Sequence, residues 1–247
     1  MIIREIRSKS ILSVSKIFDY VINPYVGCAH GCLYCYARFM KKFTGHREPW
    51  GDFVDIKVNA ADLLAKELGK KKRGQVWMSG VCDPYQPLET RYRLTRACLA
   101  LLADHDWPVT IQTRSPLVLR DIDIIRRASD IEVGFSITTA DDAIRKLFEP
   151  KAPPIGERIR ALGELRRAGI ATFAMIAPAL PGAVELVGDL EKKVDYVLVD
   201  RMNYHHADRI YRTHGLGECN TNEYFFRTGN EIASRCEEAG IDCRLVM

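Results

Sequence analysis

Cys28, Cys32 and Cys35 fall inside the stretch NPYVGCAHGCLYCYAR, residues 23–38, with three residues between the first two and two between the second pair. Thiolates bind soft metals. A structural zinc ion takes four ligands. The local fourth candidate, His30, stands two positions from both Cys28 and Cys32, so chelating one ion with all of them is cramped. In a [4Fe–4S] cluster each of four irons wants one outside ligand. Three cysteines hold three corners of that cube and leave one iron open. A short loop wraps the face of a cube more readily than a point ion, because the cube is wider.

These residues must be carried by something. The chain has 247 residues, 47% hydrophobic and 28% charged, with a formal net charge of +4. That composition supports a sizeable core and excludes a disordered chain. The mild positive charge permits a nucleic-acid partner without demanding one, since the longest basic run, GKKKR at residues 69–73, reads as a solvated loop. The beginning, MIIREIRSKS, has no apolar run of the signal-peptide kind. No window approaches the about twenty apolar residues that span a bilayer. A cytoplasmic protein without a membrane segment is expected, in which eight cysteines serve metal, catalysis or packing rather than disulfides.

Short apolar runs alternate with amphipathic ones, separated by Gly, Pro, Asn and Asp. Strands are expected at 18–22, 75–79, 108–113, 132–138, 170–176 and 195–200, with a last one at CRLVM, residues 243–247. Helices are expected after Asn59 as N-cap to Gly69, over 94–105, from Ser115 and Pro116 to Ala128, over 155–168, over 183–192 and over 222–239. Strands joined by crossover helices imply a parallel sheet. About six such units are too few for a closed eight-fold barrel, so an incomplete parallel β/α barrel is expected, with a C-terminal helix and strand, in one domain over 1–247. In such folds ligands bind at the carboxyl ends of the strands. Cys28, Cys82 and Asp83, Arg114, Ser136 and Thr138, Pro178, and Arg201 with Asn203 all fall at those ends.

The CxxxCxxC spacing, with aromatic Tyr34 before its last cysteine, resembles the signature of the radical S-adenosylmethionine superfamily. More narrowly, that segment together with SGVCDPYQPLE (79–89), TRSPLVLRDID (113–123), SITT (136–139) and FEPKAPPIGERI (148–159) resembles the spore photoproduct lyase-like group. The resemblance implies a partial β/α barrel, a [4Fe–4S] cluster on Cys28, Cys32 and Cys35, and S-adenosylmethionine on the open iron. It implies that one electron, from a flavodoxin- or ferredoxin-like donor, breaks a C–S bond of the cofactor and gives a 5′-deoxyadenosyl radical that abstracts hydrogen from substrate. The lyase itself repairs a thymine dimer; the lyase's DNA-contacting C-terminal part has no match in this sequence, so the group is better supported than the repair reaction.

The same resemblance assigns roles residue by residue. Tyr34 sits where an aromatic backbone meets the adenine, though packing also explains an aromatic there. Ser79, Gly80 and Asp83 are candidates for the methionine amino group, and Asp83 before Pro84 equally shapes a turn. Arg114 stands where relatives carry a cation that pairs with the methionine carboxylate. Ser136 suits a ribose or carboxylate contact, and Thr138 is a weaker candidate. Glu149 and Arg158 form either a ligand contact or a structural ion pair. Cys82 is a candidate hydrogen-atom donor to a product radical, and Tyr85 an alternative relay. Cys98, Cys219, Cys236 and Cys243 read as packing residues, and RMNYHHADRIYRTHG, residues 201–215, as a substrate loop or a solvated connection. Against the enzyme stand a non-catalytic iron–sulfur electron carrier and a zinc-binding interaction module. Within the enzyme, a nucleic acid, a peptide or a metabolite are the competing substrate classes.

Overall fold

A computed structural model describes residues 1–246; Met247, the last residue of the expected final strand, lies outside it. The runs rich in Val, Ile and Phe form the strands, as side chains that fill a pleated buried surface should. In chain order these are β1 (Ile2–Ile6), β2 (Leu12–Val14), β3 (Tyr20–Ile22), β4 (Tyr25–Val26), β5 (Phe53–Lys57), β6 (Val76–Met78), β7 (Val109–Thr113), β8 (Ile131–Ser136), β9 (Ala171–Ile176), β10 (Tyr196–Val199) and β11 (Asp242–Leu245).

The main sheet has eight strands in the order β11-β10-β9-β8-β7-β6-β3-β2. From β3 to β11 every neighbour is parallel, and β2 closes one side antiparallel to β3. Strands added in chain order to one growing edge are the pattern of a β/α barrel. Here β2 and β11 end the sheet, so the barrel is incomplete, as expected. Along the central strands one face, with Val76 and Met78, Val109 and Ile111, and Val133 and Phe135, is fully buried, as expected of parallel strands under crossover helices. Packing is close enough that Gly134 admits no side chain: a Cβ there would stand 2.1 Å from the Phe173 ring.

The helices over Ala60–Leu68, Leu94–Asp104, Ile155–Arg167 and Asn222–Glu238 match the expected ones to within about two residues. Three details differ. Asn59 does not cap its helix; its amide exchanges two hydrogen bonds of 2.9 Å with the backbone of Ser8. Ser115 does cap the next segment, accepting from the Leu117 amide at 3.3 Å. That segment, however, is a 3-10 turn over Pro116–Asp121 followed by a short helix Ile122–Ile125. The step falls at Asp121, which is fully buried and paired with Arg96 at 2.8 Å and Arg120 at 2.7 Å. The helix expected over 183–192 shrinks to Leu186–Leu190.

Two features were not anticipated. A helix over Asp142–Phe148 is capped by Asp141, whose carboxylate accepts from Ala143 at 2.7 Å. A second, three-stranded sheet joins β1 parallel to β5 and β4 antiparallel to β5. With only two residues in β4 and a mostly exposed β1, neither strand carries a readable period. In the chain β4 leads directly into the three-cysteine loop and β5 follows it, so this small sheet flanks that loop.

Candidate active site

The carboxyl ends of six strands meet at one cavity of about 230 Å³. Cys28, Cys32 and Cys35 line it after β3 and β4, Ser79 to Asp83 after β6, Arg114 after β7, Ser136 at the end of β8, Pro178 after β9, and Arg201 and Asn203 after β10.

Backbone contacts shape the cysteine loop. Gly27 enters it at φ +90°, where a Cβ would come 2.4 Å from the Phe53 carbonyl oxygen of β5; only glycine suits that approach. Buried Gln86 accepts from the Ala29 amide at 2.9 Å and donates to the Gly27 carbonyl at 3.3 Å. The Leu33 amide donates to the Phe148 carbonyl at 2.8 Å, and that of Cys35 to the Cys32 carbonyl at 3.2 Å. His30 sits between Cys28, to which it bonds, and Asp83. Its Nδ1 stands 3.3 Å from Asp83 Oδ2. Burial alone would lower the imidazole, but the Asp83 carboxylate outweighs it and holds His30 up at about 10.

The three thiols suit a wide thiolate-binding group. Among the described residues no three His, Cys, Asp or Glu side chains converge closely enough to hold a single metal ion, yet three cysteines face one cavity. Burial pushes Cys35 up to about 11 and Cys32 well above its ordinary value. Burial also acts against Cys28, but the bond and charge of His30 hold it lower. A cationic iron–sulfur centre bound here would supply the positive charge that the buried thiolates otherwise lack.

Behind the loop lies a charge network. Glu149 is fully buried, and its Oε2 pairs with Arg158 Nη2 at 2.6 Å. Its Oε1 accepts from the Tyr34 hydroxyl, from Arg114 Nε at 3.3 Å and from the Thr138 hydroxyl at 3.3 Å. Arg114 Nη2 in turn donates to the Tyr34 oxygen at 2.9 Å. Burial would raise the Glu149 carboxyl; Arg158 and Arg114 outweigh it and hold it down at about 2. Arg114 lines the cavity while anchored from behind. Glu149 and Arg158 are a structural ion pair.

At the end of β6, Ser79 adopts φ +69°, a conformation that costs a non-glycine residue about 1–3 kcal/mol. Its hydroxyl is buried without a protein partner. Asp83 also lines the cavity, but its carboxylate is engaged by the Thr113 hydroxyl at 2.6 Å, the Arg114 amide at 2.8 Å and the Tyr85 amide at 2.9 Å. It therefore ties the loop after β6 to the end of β7. Cys82 Sγ faces the cavity and donates to the Tyr25 carbonyl at 3.4 Å, and burial pushes its thiol up to about 12.

Two candidates are not brought to the cavity. Tyr85 turns into the main core, fully buried, where burial and the carboxylates of Asp121 and Glu89 raise its hydroxyl far above the usual range. Thr138, past the end of β8, faces Glu149 instead. Conversely, Gln112, Trp50 and Trp77 line the cavity unanticipated, and Gln112 donates to the Ser136 hydroxyl at 2.9 Å. Alternation along β7 puts Gln112 on the opposite face from buried Ile111 and Thr113, a signal present in VTIQT. Cys98 and Cys236 are core residues; Cys219 and Cys243 are partly buried. The 201–215 segment starts at the rim, where Arg201 to Tyr204 line the cavity, and then leaves it through a short helix over Asp208–Thr213. Among the described residues no helix is long and apolar enough to cross a membrane.

Residues 22–185 match the family model described as Radical SAM superfamily. A protein of Methanocaldococcus jannaschii is 36% identical over 204 residues, covering 81% of this chain and 77% of that one. A protein named radical SAM Nalpha-GlyT isomerase, from Pseudomonas phage M6, is 27% identical over 164 residues, covering 66% of this chain and 33% of that one. The chain spans half the length of the mycobacterial relatives it matches. Among solved structures, a mutant of spore photoproduct lyase superposes with a TM-score of 0.73 over 98% of this chain and 80% of that one, at 15% identity.

Proposed function

This chain belongs to the radical S-adenosylmethionine superfamily and is an enzyme of it; from that premise we propose that it is of the spore photoproduct lyase-like group and abstracts hydrogen from a nucleic-acid substrate. Enzymes of the family use S-adenosylmethionine and an iron–sulfur cluster and take their electron from a donor. The observation that carries the reading is the meeting of three cysteine thiols, a cation and a buried unpartnered hydroxyl at one cavity formed by six strand ends.

In this reading the cluster is of the [4Fe–4S] type, held at three corners by Cys28, Cys32 and Cys35. With S-adenosylmethionine bound, it supplies the power to remove a hydrogen atom from an unreactive C–H bond. The residues of the chain bind and orient. The guanidinium of Arg114 meets the methionine carboxylate, held in place by Glu149 and Tyr34. The Ser79 hydroxyl and the Gly80 backbone receive the amino group, and Asp83 holds the strained turn that presents them. Ser136, fixed by Gln112, meets the ribose. The Tyr34 backbone borders the adenine. Cys82 keeps its hydrogen on Sγ at the cavity wall, where it can be returned to a substrate radical. Tyr85 and Thr138 act from behind, through the core and through Glu149.

The nucleic-acid substrate is supported by the rim. Arg201, Asn203 and Tyr204 border the cavity, and the Tyr204 and His206 rings stack at 5.6 Å, an arrangement suited to phosphate and base. All eight cysteines are free thiols, the state expected in a reducing compartment.

The test is anaerobic reconstitution with iron and sulfide, followed by dithionite and S-adenosylmethionine. 5′-Deoxyadenosine and methionine should form in equal amounts, and Cys28→Ala, Cys32→Ala and Cys35→Ala should each reduce both to background. A tetrahedral zinc centre, or a cluster whose spectrum ignores the sulfonium cofactor, would falsify the proposal. A nucleic-acid substrate predicts binding of oligonucleotides that weakens steeply as salt rises.

A further inference from the structure

A helical segment, Tyr36–Phe43, starts at Cys35 as its N-cap. Its sequence, YARFMKKF, leaves two large rings in solvent, Phe39 at 45% exposed and Phe43 at 75%, while Tyr36, 41% exposed, lines the cavity and donates its hydroxyl to the Gly80 carbonyl. Between them stand Arg38, Lys41 and Lys42, and Arg47 follows. From Tyr20 to Arg47 the chain contains no acidic residue. Among the described residues none of these four cations is ion-paired, unlike Arg73, Arg127, Lys151, Arg166 and Arg244 elsewhere on the surface. Lys41 instead donates to the Arg47 carbonyl at 2.9 Å, drawing the two charges into one patch.

An apolar centre of aromatic rings with an uncompensated basic border is the surface of a transient protein contact that is steered by charge. Its place is as telling as its chemistry. At about 2 Å of rise per residue, Phe39 lies about 8 Å along the segment from Cys35. Ala37, on the inner side, lines the same cavity as the three thiols. A partner seated here stands beside the cluster loop, because the segment begins directly at Cys35.

We propose that the Tyr36–Phe43 segment, with Arg47, is the docking face for a small acidic electron-carrier protein, which delivers its electron through the Cys35 end of the loop. This rests on the radical-enzyme reading for its purpose and on the surface alone for its partner. Tyr36 lines the cavity together with Arg201 and Tyr204, so the segment adjoins the substrate rim, while Phe39, Lys41, Lys42 and Phe43 lie outside the cavity lining.

The experiment uses the reconstituted full chain and an acidic bacterial flavodoxin as probe. The dissociation constant is measured by titration at low and high salt, and cofactor cleavage is driven in parallel by reduced flavodoxin and by dithionite. For Lys41→Glu/Lys42→Glu the flavodoxin dissociation constant should rise about tenfold or more, and for Phe43→Ser about fivefold. Flavodoxin-driven cleavage should fall in step while dithionite-driven cleavage stays at the wild-type rate. Wild-type binding should weaken as salt rises. The proposal is overturned if these variants bind flavodoxin as wild type does, if wild type does not bind it at low salt, or if the variants lose affinity for a DNA oligonucleotide and keep it for flavodoxin. Should wild type fail to cleave the cofactor even with dithionite, the radical-enzyme reading falls, and the binding series still decides whether the face takes an acidic protein.

Discussion

Arg114 Nε and Glu149 Oε1 lie 3.3 Å apart across 35 residues of sequence, and the Tyr34 hydroxyl bridges the same two side chains. The pair links the end of β7, the residue after the Asp142–Phe148 helix and the cysteine loop. A guanidinium held this way keeps its orientation toward the cavity before any ligand arrives, so little rotamer freedom remains to be lost on binding. The arrangement makes Glu149 a positioning residue for Arg114 and Tyr34 together.

Replacing Glu149 by Gln should therefore destabilise the fold by about 3–5 kcal/mol, the usual cost of leaving one partner of a buried ion pair uncompensated. The pH dependence has a definite sign. The folded carboxyl is held down at about 2 against an ordinary 4.5. Its contribution is present above about pH 4.5 and is lost as pH falls through that value toward 2. Urea unfolding at pH 7, 4 and 3 should show the gap between wild type and Glu149→Gln narrowing with acid; a constant gap contradicts the pairing.

Gly27→Ala acts on the loop rather than the core. The new Cβ meets the Phe53 carbonyl at a φ of +90°, so the backbone before Cys28 must shift. A loss of about 1–3 kcal/mol in stability is expected, with a larger fall in iron retained per chain after reconstitution. Iron content equal to wild type counts against the close approach of loop and β5.

Removal of the Gln112 side chain frees the Ser136 hydroxyl from its 2.9 Å hydrogen bond. One such bond contributes about 1 kcal/mol net, so Gln112→Ala should weaken S-adenosylmethionine binding about fivefold. Calorimetric titration measures this directly, and unchanged affinity removes Ser136 from the cofactor site.

Cys82→Ala separates the two halves of the reaction. Its thiol lines the cavity yet holds no place in the cysteine loop. Cofactor cleavage by dithionite should continue at a rate near wild type, while the substrate-derived product changes or its yield collapses. If the same product forms at the same rate, Cys82 is not the hydrogen donor.

Much of this was legible in the residues themselves. The cysteine spacing, the order of the strands and the position of unusual residues at their carboxyl ends all follow from local periodicity, and local periodicity survives folding. One incomplete parallel barrel accounts for them. What local periods cannot reveal is partnership. Gln86 holding Ala29, Glu149 holding Tyr34 and Arg114, and the two-residue strand β4 on β5 join segments that share no pattern. The same gap misplaced Tyr85 and Thr138: each stands near a strand end, but backbone direction after that end sends one into the core and the other onto a buried carboxylate.

From the sequence alone came the three thiols, the parallel order and the face on which chemistry gathers, because side-chain type and spacing dictate those. The tertiary structure alone decided which polar groups meet the cavity and which are consumed behind it. A buried charge must be paired before it can be kept, and only the packed chain determines which partner is within reach.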